Sequence, residues 1–183
     1  MQNARVSCHL TAARVIIVLA MTALLPAAAS AATNQTIKAF SVWHTDSQIA
    51  AGAAGTHVFE GTVDGPFYVE TEKGPVNSGS MSCKAKLTIK DADQTQEGQA
   101  DCTINGKDGA TVQLTITCQG VFQIGCNGKA ELTAGTGRFQ GIKGGGAVAI
   151  RSDYADLKSQ GISDPAALHS GLMYFPALHY QLP

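Results

Sequence analysis

Between residues 79 and 151 apolar and polar residues alternate at every second position, and clusters of Gly, Asn and Asp interrupt the alternation. A period of two places one set of side chains on each face of an extended strand, so the segment reads as short antiparallel strands with one face in a core. Helix-period segments are scarce. The clearest strand runs from Thr111 to Cys118, with Val112, Leu114, Ile116 and Cys118 on one face and Thr111, Gln113, Thr115 and Thr117 on the other. Before it, Ala100, Cys102 and Ile104 share a side, and Asn105-Gly106-Lys107-Asp108-Gly109 supplies the positive-φ tolerance of a hairpin turn. Upstream, Cys83, Ala85, Leu87 and Ile89 alternate with polar residues before Asp91 to Gly98 turn the chain; downstream, Ala130 and Leu132 are expected to face Val148 and Ile150 across a glycine-rich connection.

The runs Thr36 to Trp43, Thr56 to Val63, Phe67 to Thr71 and Met173 to Leu182 also read as strands, for a total of about eight. That number matches small closed barrels. Gln48 to Gly55 reads as a small-residue loop. Ser152 to Gly171 reads as helical, with Ser152 as an N-cap and Asp164-Pro165 as a cap followed by proline at the first helical position. The expected fold is all-β: a single antiparallel, roughly eight-stranded barrel with a short helical stretch near the C-terminus. A chain of 183 residues without a linker or tandem repeat is one domain.

Thirteen basic and 14 acidic residues, with 15% charged overall, exclude a basic nucleic-acid binder and an acidic disordered tail. The chain also lacks the repeated long apolar spans of a multi-span membrane protein. Arg5 and Arg14 flank the start of an uncharged run, Val15 to Ala32, that closes on Ala29-Ser30-Ala31. This is the pattern of a secretory signal peptide over residues 1–31, with Pro26 arguing against a retained anchor. Residues 32–183 then form the mature domain, formally −3, with no membrane span and a periplasmic or secreted location.

Cleavage removes Cys8 and leaves Cys83, Cys102, Cys118 and Cys126, an even set that reads as disulfides in an exported chain. Four cysteines allow three pairings, and hairpin register chooses among them. A turn centred between Ala92 and Asp93 sets Cys83 opposite Cys102; a turn centred on Phe122 sets Cys118 opposite Cys126. Each bond is expected to stabilise by about 2–4 kcal/mol through loop closure. No Cys-x-x-Cys occurs, and the spacings of 19, 16 and 8 do not match the usual zinc pairs.

The most distinctive segment is glycine-rich: Gly135, Gly137, Gly141 and Gly144 surround Phe139 between two strands. Glycine there permits a sharp barrel corner and close strand approach, while Phe139 and Ile142 fold inward and plug the end. No Walker lysine follows, so a phosphate cradle is disfavoured. Gly135-Thr136-Gly137-Arg138-Phe139, with Gly141 and Gly144, resembles the Gly-Thr/Ser-Gly-x-Phe/Tyr segment shared by allene oxide cyclases and dirigent proteins. With the signal peptide and paired cysteines, the chain is similar to small exported bacterial members of that barrel superfamily. The resemblance covers about residues 130–151 and implies an eight-stranded antiparallel barrel with a central cavity, and a homo-oligomer. No cyclase or dirigent active-site residue maps onto a position of this chain.

The mature histidines, His44, His57, His169 and His179, form no His-x-His, His-x-x-x-His or His-Glu-x-x-His pattern, so no metal or other cofactor is implied. No Gly-x-Ser-x-Gly elbow and no free mature cysteine supplies a nucleophile. Glu60 or Glu70, on strands, is the acid candidate if either faces a cavity; surface charge is the ordinary reading of both, and of Asp64 and Asp101. Trp43, Phe59 and Phe67, with Tyr68, Phe122 and Phe139, are candidates to line an apolar cavity, which small inward residues such as Ala85, Ala100, Ala130 and Gly61 would leave open. The expectation is a binder of a small apolar ligand or an envelope accessory protein. The alternatives are a cyclase- or dirigent-like enzyme that steers a reactive intermediate, and a structural surface module. An open apolar cavity favours the binder, a buried carboxylate facing it the enzyme, a filled cavity the structural module.

Overall fold

The computed structural model describes residues 32–122, 124–153 and 170–183. Nine strands follow in order: β1 (Thr33–His44), β2 (Ile49–Ala51), β3 (Thr56–Thr71), β4 (Gly74–Lys90), β5 (Thr95–Gly106), β6 (Thr111–Val121), β7 (Gly125–Gly135), β8 (Lys143–Asp153) and β9 (Ser170–Leu182). All pairings are antiparallel, in the sheet order β1-β9-β8-β7-β6-β5-β4-β3-β2, and an additional β1–β3 pairing closes the sheet into a barrel of eight strands. The ninth, β2, pairs with β3 beyond β1. Among the described residues the helical segment is a single 3-10 turn, Gly137–Phe139.

Alternation sets the inward faces as expected, but several strand limits differ. Thr56 to Val63 and Phe67 to Thr71 are one strand, β3, running through Gly65-Pro66. Proline lacks a ladder N–H, and the β1–β3 register skips Gly65 and Pro66, where nothing is asked of that donor. A Cβ at Gly65 would lie 2.0 Å from the Val42 carbonyl oxygen, so glycine is what lets β1 cross there. The loop expected over Gln48 to Gly55 contains β2. Thr45 interrupts the β1–β2 path: its Oγ1 donates to the Thr62 carbonyl at 2.7 Å and accepts from the Ser47 amide at 3.1 Å. The helix expected over Ser152 to Gly171 gives way to strand at both ends, Ser152 to Asp153 and Ser170 to Gly171; residues 154–169 lie outside the described residues, as does the 1–31 signal segment.

Both expected disulfides are present, Cys83–Cys102 and Cys118–Cys126. Cys83 and Cys102 are directly opposed on β4 and β5, as the first hairpin's register requires. In the second hairpin Val121 pairs with Gly125, so the turn is centred one residue later than expected and Cys118 faces Gly128. The second bond therefore runs diagonally, which cross-strand geometry allows within a Cα separation of 5.5 Å. The β7–β8 register also differs. Ala130 and Leu132 face Gly146 and Gly144, while Val148 and Ile150 face Gly128 and Cys126. The connection uses fewer residues than its glycine content suggests, and Gly144 to Gly146 belong to the strand.

Inward positions read in three layers along the barrel axis. The middle layer contains Ala39, Ser41, Met81, the Cys83–Cys102 pair, Leu114, Val148 and Phe175, all buried. It plugs the barrel and divides the interior in two.

Candidate functional site

One end of the barrel is a half-open cup of about 460 Å³. Successive inward residues of the strands line it: Ile37, Phe67, Val69, Val76, Ile104, Val112, Leu132, Leu178, Tyr180 and Leu182. The glycine-rich connection forms one wall. Gly137 and Gly141 take φ of +57° and +76°, a region that side chains rarely adopt, and these two reversals turn the chain across the barrel end. Thr136 fastens the connection to β6, with its amide donating to the Thr111 carbonyl at 2.9 Å and its Oγ1 accepting from the Thr111 amide at 3.0 Å. Ile142 is buried, and the half-buried Phe139 meets Tyr180 edge-on at 6.4 Å. The remaining glycines of the motif lie where backbones approach: a Cβ at Gly135 would fall 2.3 Å from the Phe139 carbonyl oxygen, and one at Gly144 2.1 Å from that of His179.

Polar groups gather at the cup's rim. Arg138 lies 4.7 Å above the Phe139 ring, and its Nε is 3.1 Å from Asp108 Oδ2. Tyr180 donates its hydroxyl to Gln35 Oε1. Val76 is 52% exposed at the mouth, an apolar side chain facing open space instead of core.

The opposite end holds a smaller cavity of about 80 Å³ lined by Trp43, Phe59, Val63, Leu87, Ile116, Ile150 and Met173, with the Cys118–Cys126 bond in its wall. Gly98, Ala85 and Ala100 also belong to its lining. Of the aromatic residues expected around one cavity, Trp43 and Phe59 thus line the small cavity and Phe67 the cup, on opposite sides of the plug. Tyr68 is on the outer wall, stacked on Phe40 at 5.0 Å, and Phe122 is buried.

The acid candidates are corrected. Glu60 and Glu70 are exposed, and Glu60 Oε2 lies 3.7 Å from Lys86 Nζ on the outer wall. Among the described residues no Asp or Glu lines either cavity. His57 Nδ1 lies 2.8 Å from Asp91 Oδ1, His179 Nδ1 lies 2.7 Å from Thr36 Oγ1, and His44 is exposed; His169 lies outside the described residues. No group of three His, Cys, Asp or Glu among the described residues could hold a metal.

Residues that the sequence reading missed include Arg138, Gln35 and Val76 at the rim, and Gln96 in the small cavity. The Leu178, Tyr180, Leu182 alternation carried a usable signal for the cup wall. Gln96 carried none, because Asp91 to Gly98 reads as one polar turn whereas β5 begins at Thr95.

No family model matches the chain, and no curated relative does. Among solved structures, it is similar to the structure of the pterocarpan synthase dirigent protein GePTS1, at 15% identity and a TM-score of 0.41, over 82% of this chain and 87% of that one.

Proposed function

We propose that the protein is an exported binding protein for a small, largely apolar molecule, held in the cup. The observation that carries this reading is the half-open apolar space of about 460 Å³, within the roughly 300–1,000 Å³ of small-molecule pockets. A filled barrel end would have favoured a structural module, and a carboxylate in the cup would have favoured a steering enzyme. Two disulfides fit an oxidising compartment, periplasmic or extracellular, and among the described residues no helix is long and apolar enough to cross a membrane. Kinship with exported bacterial barrels of the cyclase and dirigent type belongs to the same proposal.

Native mass spectrometry on protein purified from its own export compartment tests the reading. An adduct on the oxidised chain lacking residues 1–31 is expected. In parallel, uncharged N-phenyl-1-naphthylamine should bind saturably at one per chain. Val76→Asp, at an exposed rim position that the fold tolerates, should weaken that binding at least tenfold. A bare mass together with unchanged dye binding by Val76→Asp would refute the cup as the site. Self-association is also proposed. Val42 and Leu172, paired and 48% and 39% exposed, join the Phe40–Tyr68 stack on the outer wall and supply exposed apolar side chains for a second copy to cover; a monomer in sedimentation at micromolar concentration would refute it.

A further inference from the structure

Among the described residues that line the cup, Arg138 alone carries a charge, and an apolar ligand gives that charge no part. Two neighbours orient it. The Phe139 ring centre lies 4.7 Å from its Cζ, and Asp108 Oδ2 lies 3.1 Å from its Nε. Asp108 is itself held, with Oδ1 accepting from the Ala110 amide at 3.2 Å, and it stands outside the lining. Its single oxygen at Nε engages one of the five guanidinium N–H groups. Four are left, on a side chain 63% exposed, for water or a solute. The other polar side chains of the lining are Gln35, Thr71, Ser78 and Tyr180. Their hydroxyl protons are already given to protein acceptors: Tyr180's to Gln35 Oε1, Ser78's to the Val76 carbonyl at 3.2 Å and Thr71's to the Gly74 carbonyl at 2.6 Å.

We propose that the molecule held in the cup is a carboxylate with an apolar body, its head bound at the mouth by Arg138. The inference rests on the cup being the ligand site. What the lining still offers is a set of N–H donors beside a positive charge, and the complement of that is an acceptor with a negative charge. A carboxylate only accepts, and its two oxygens match the planar guanidinium fork. An ammonium would be repelled by Arg138, and an alcohol would use a donor but not the charge. The apolar wall from Ile37 to Leu182 takes the rest of the molecule. Asp108 leaves the pair neutral overall, so attraction from a distance is weak. Selectivity arises on contact, because the arginine faces the ligand and the aspartate does not.

The test uses the oxidised mature chain and two probes of one shape, 1-naphthylacetate and 1-naphthylacetamide, each displacing N-phenyl-1-naphthylamine at pH 7. The acid is ionised there, since a carboxyl titrates near pH 4; the amide is its uncharged counterpart. The parent should bind the acetate about fivefold more tightly than the amide, or about 1 kcal/mol, the upper end for an exposed charge pair. Arg138→Gln, at an exposed position that the fold tolerates, should bring that ratio to about one. In the parent, raising the salt from about 0.05 to 1 M should shrink it as well, because screening acts on exposed charges. Equal affinities in the parent, a preference that survives Arg138→Gln, or one that salt does not change would overturn the proposal and leave the cup as the site. Absence of saturable dye binding by the parent would overturn the cup reading, and this one with it.

Discussion

Replacing Cys83 and Cys102 together by alanine should cost more stability than any other pair of cysteine changes. The bond closes a loop of sequence separation 19, for which chain entropy gives about 3 kcal/mol. It also lies in the plug, where both cysteines are buried. Losing two buried sulfur atoms adds about 1–2 kcal/mol, by comparison with ~0.8 kcal/mol per buried methylene. The expected total is about 4–5 kcal/mol, or roughly 8–20 °C in Tm at ~2–4 °C per kcal/mol for a chain of this size. Cys118 and Cys126 close a separation of 8, worth about 2.5 kcal/mol, and border an existing cavity, so their removal leaves less packing undone. Urea unfolding followed by far-ultraviolet circular dichroism would measure both double variants against the parent, in the oxidised state. If removing Cys118 and Cys126 cost as much as removing Cys83 and Cys102, neither loop length nor place in the plug would set the value of these bonds.

Cys126→Ala should free Cys118 for thiol labelling and leave Cys83 unreactive; labelled Cys83 would contradict the observed pairing. Gly128→Val should destabilise severely, since a Cβ there would fall 1.8 Å from the Thr117 carbonyl oxygen, and a variant that melts within a few degrees of the parent would show that β6 and β7 can separate at little cost. Asp93 offers a pH test. A hydrogen bond from the Thr95 hydroxyl, then one from the Thr95 amide, hold its carboxyl below the ordinary 3.8. A depressed carboxyl contributes stability above its ordinary value and loses it as pH falls through the depressed one. Asp93→Asn should therefore flatten the stability profile below about pH 4 and lower stability by a pH-independent amount above it; a variant whose stability falls with acid as steeply as the parent's would refute the assignment.

Period-two alternation made the fold class, the first hairpin and both disulfides legible before any coordinates. The first register succeeded because the reversal is confined to Asp91 to Gln94, with Gln94 at φ +57°, symmetric about the centre read from the sequence. The second succeeded in its pairing despite a one-residue slip, because a diagonal bond tolerates it. Glycine and proline caused the misreadings. Pro66 and Gly144 to Gly146 look like breaks, yet they lie within strands: the proline where no donor is needed, Gly145 where a Cβ would be 2.3 Å from the Ala130 carbonyl oxygen. The division of the interior was not legible at all. Which inward residues meet in one layer depends on the stagger between distant strands, so nothing local in the sequence separates Phe67 from Trp43 and Phe59.

The closure of the barrel by β1 has a kinetic consequence. Every other neighbour in the eight-stranded circuit is joined through a hairpin or one intervening segment, but β1 lies between β3 and β9, and Thr33 pairs with Leu182 at the far end of the chain. Along the chain β1 comes first and β9 last. Until β9 arrives, β1 lacks the partner on one of its sides, and the growing sheet has an unpaired edge open to other chains. Contacts of such long sequence separation carry the largest loop-closure cost and form slowly. The pairing of β9 with β1 therefore carries the largest loop-closure cost in the barrel.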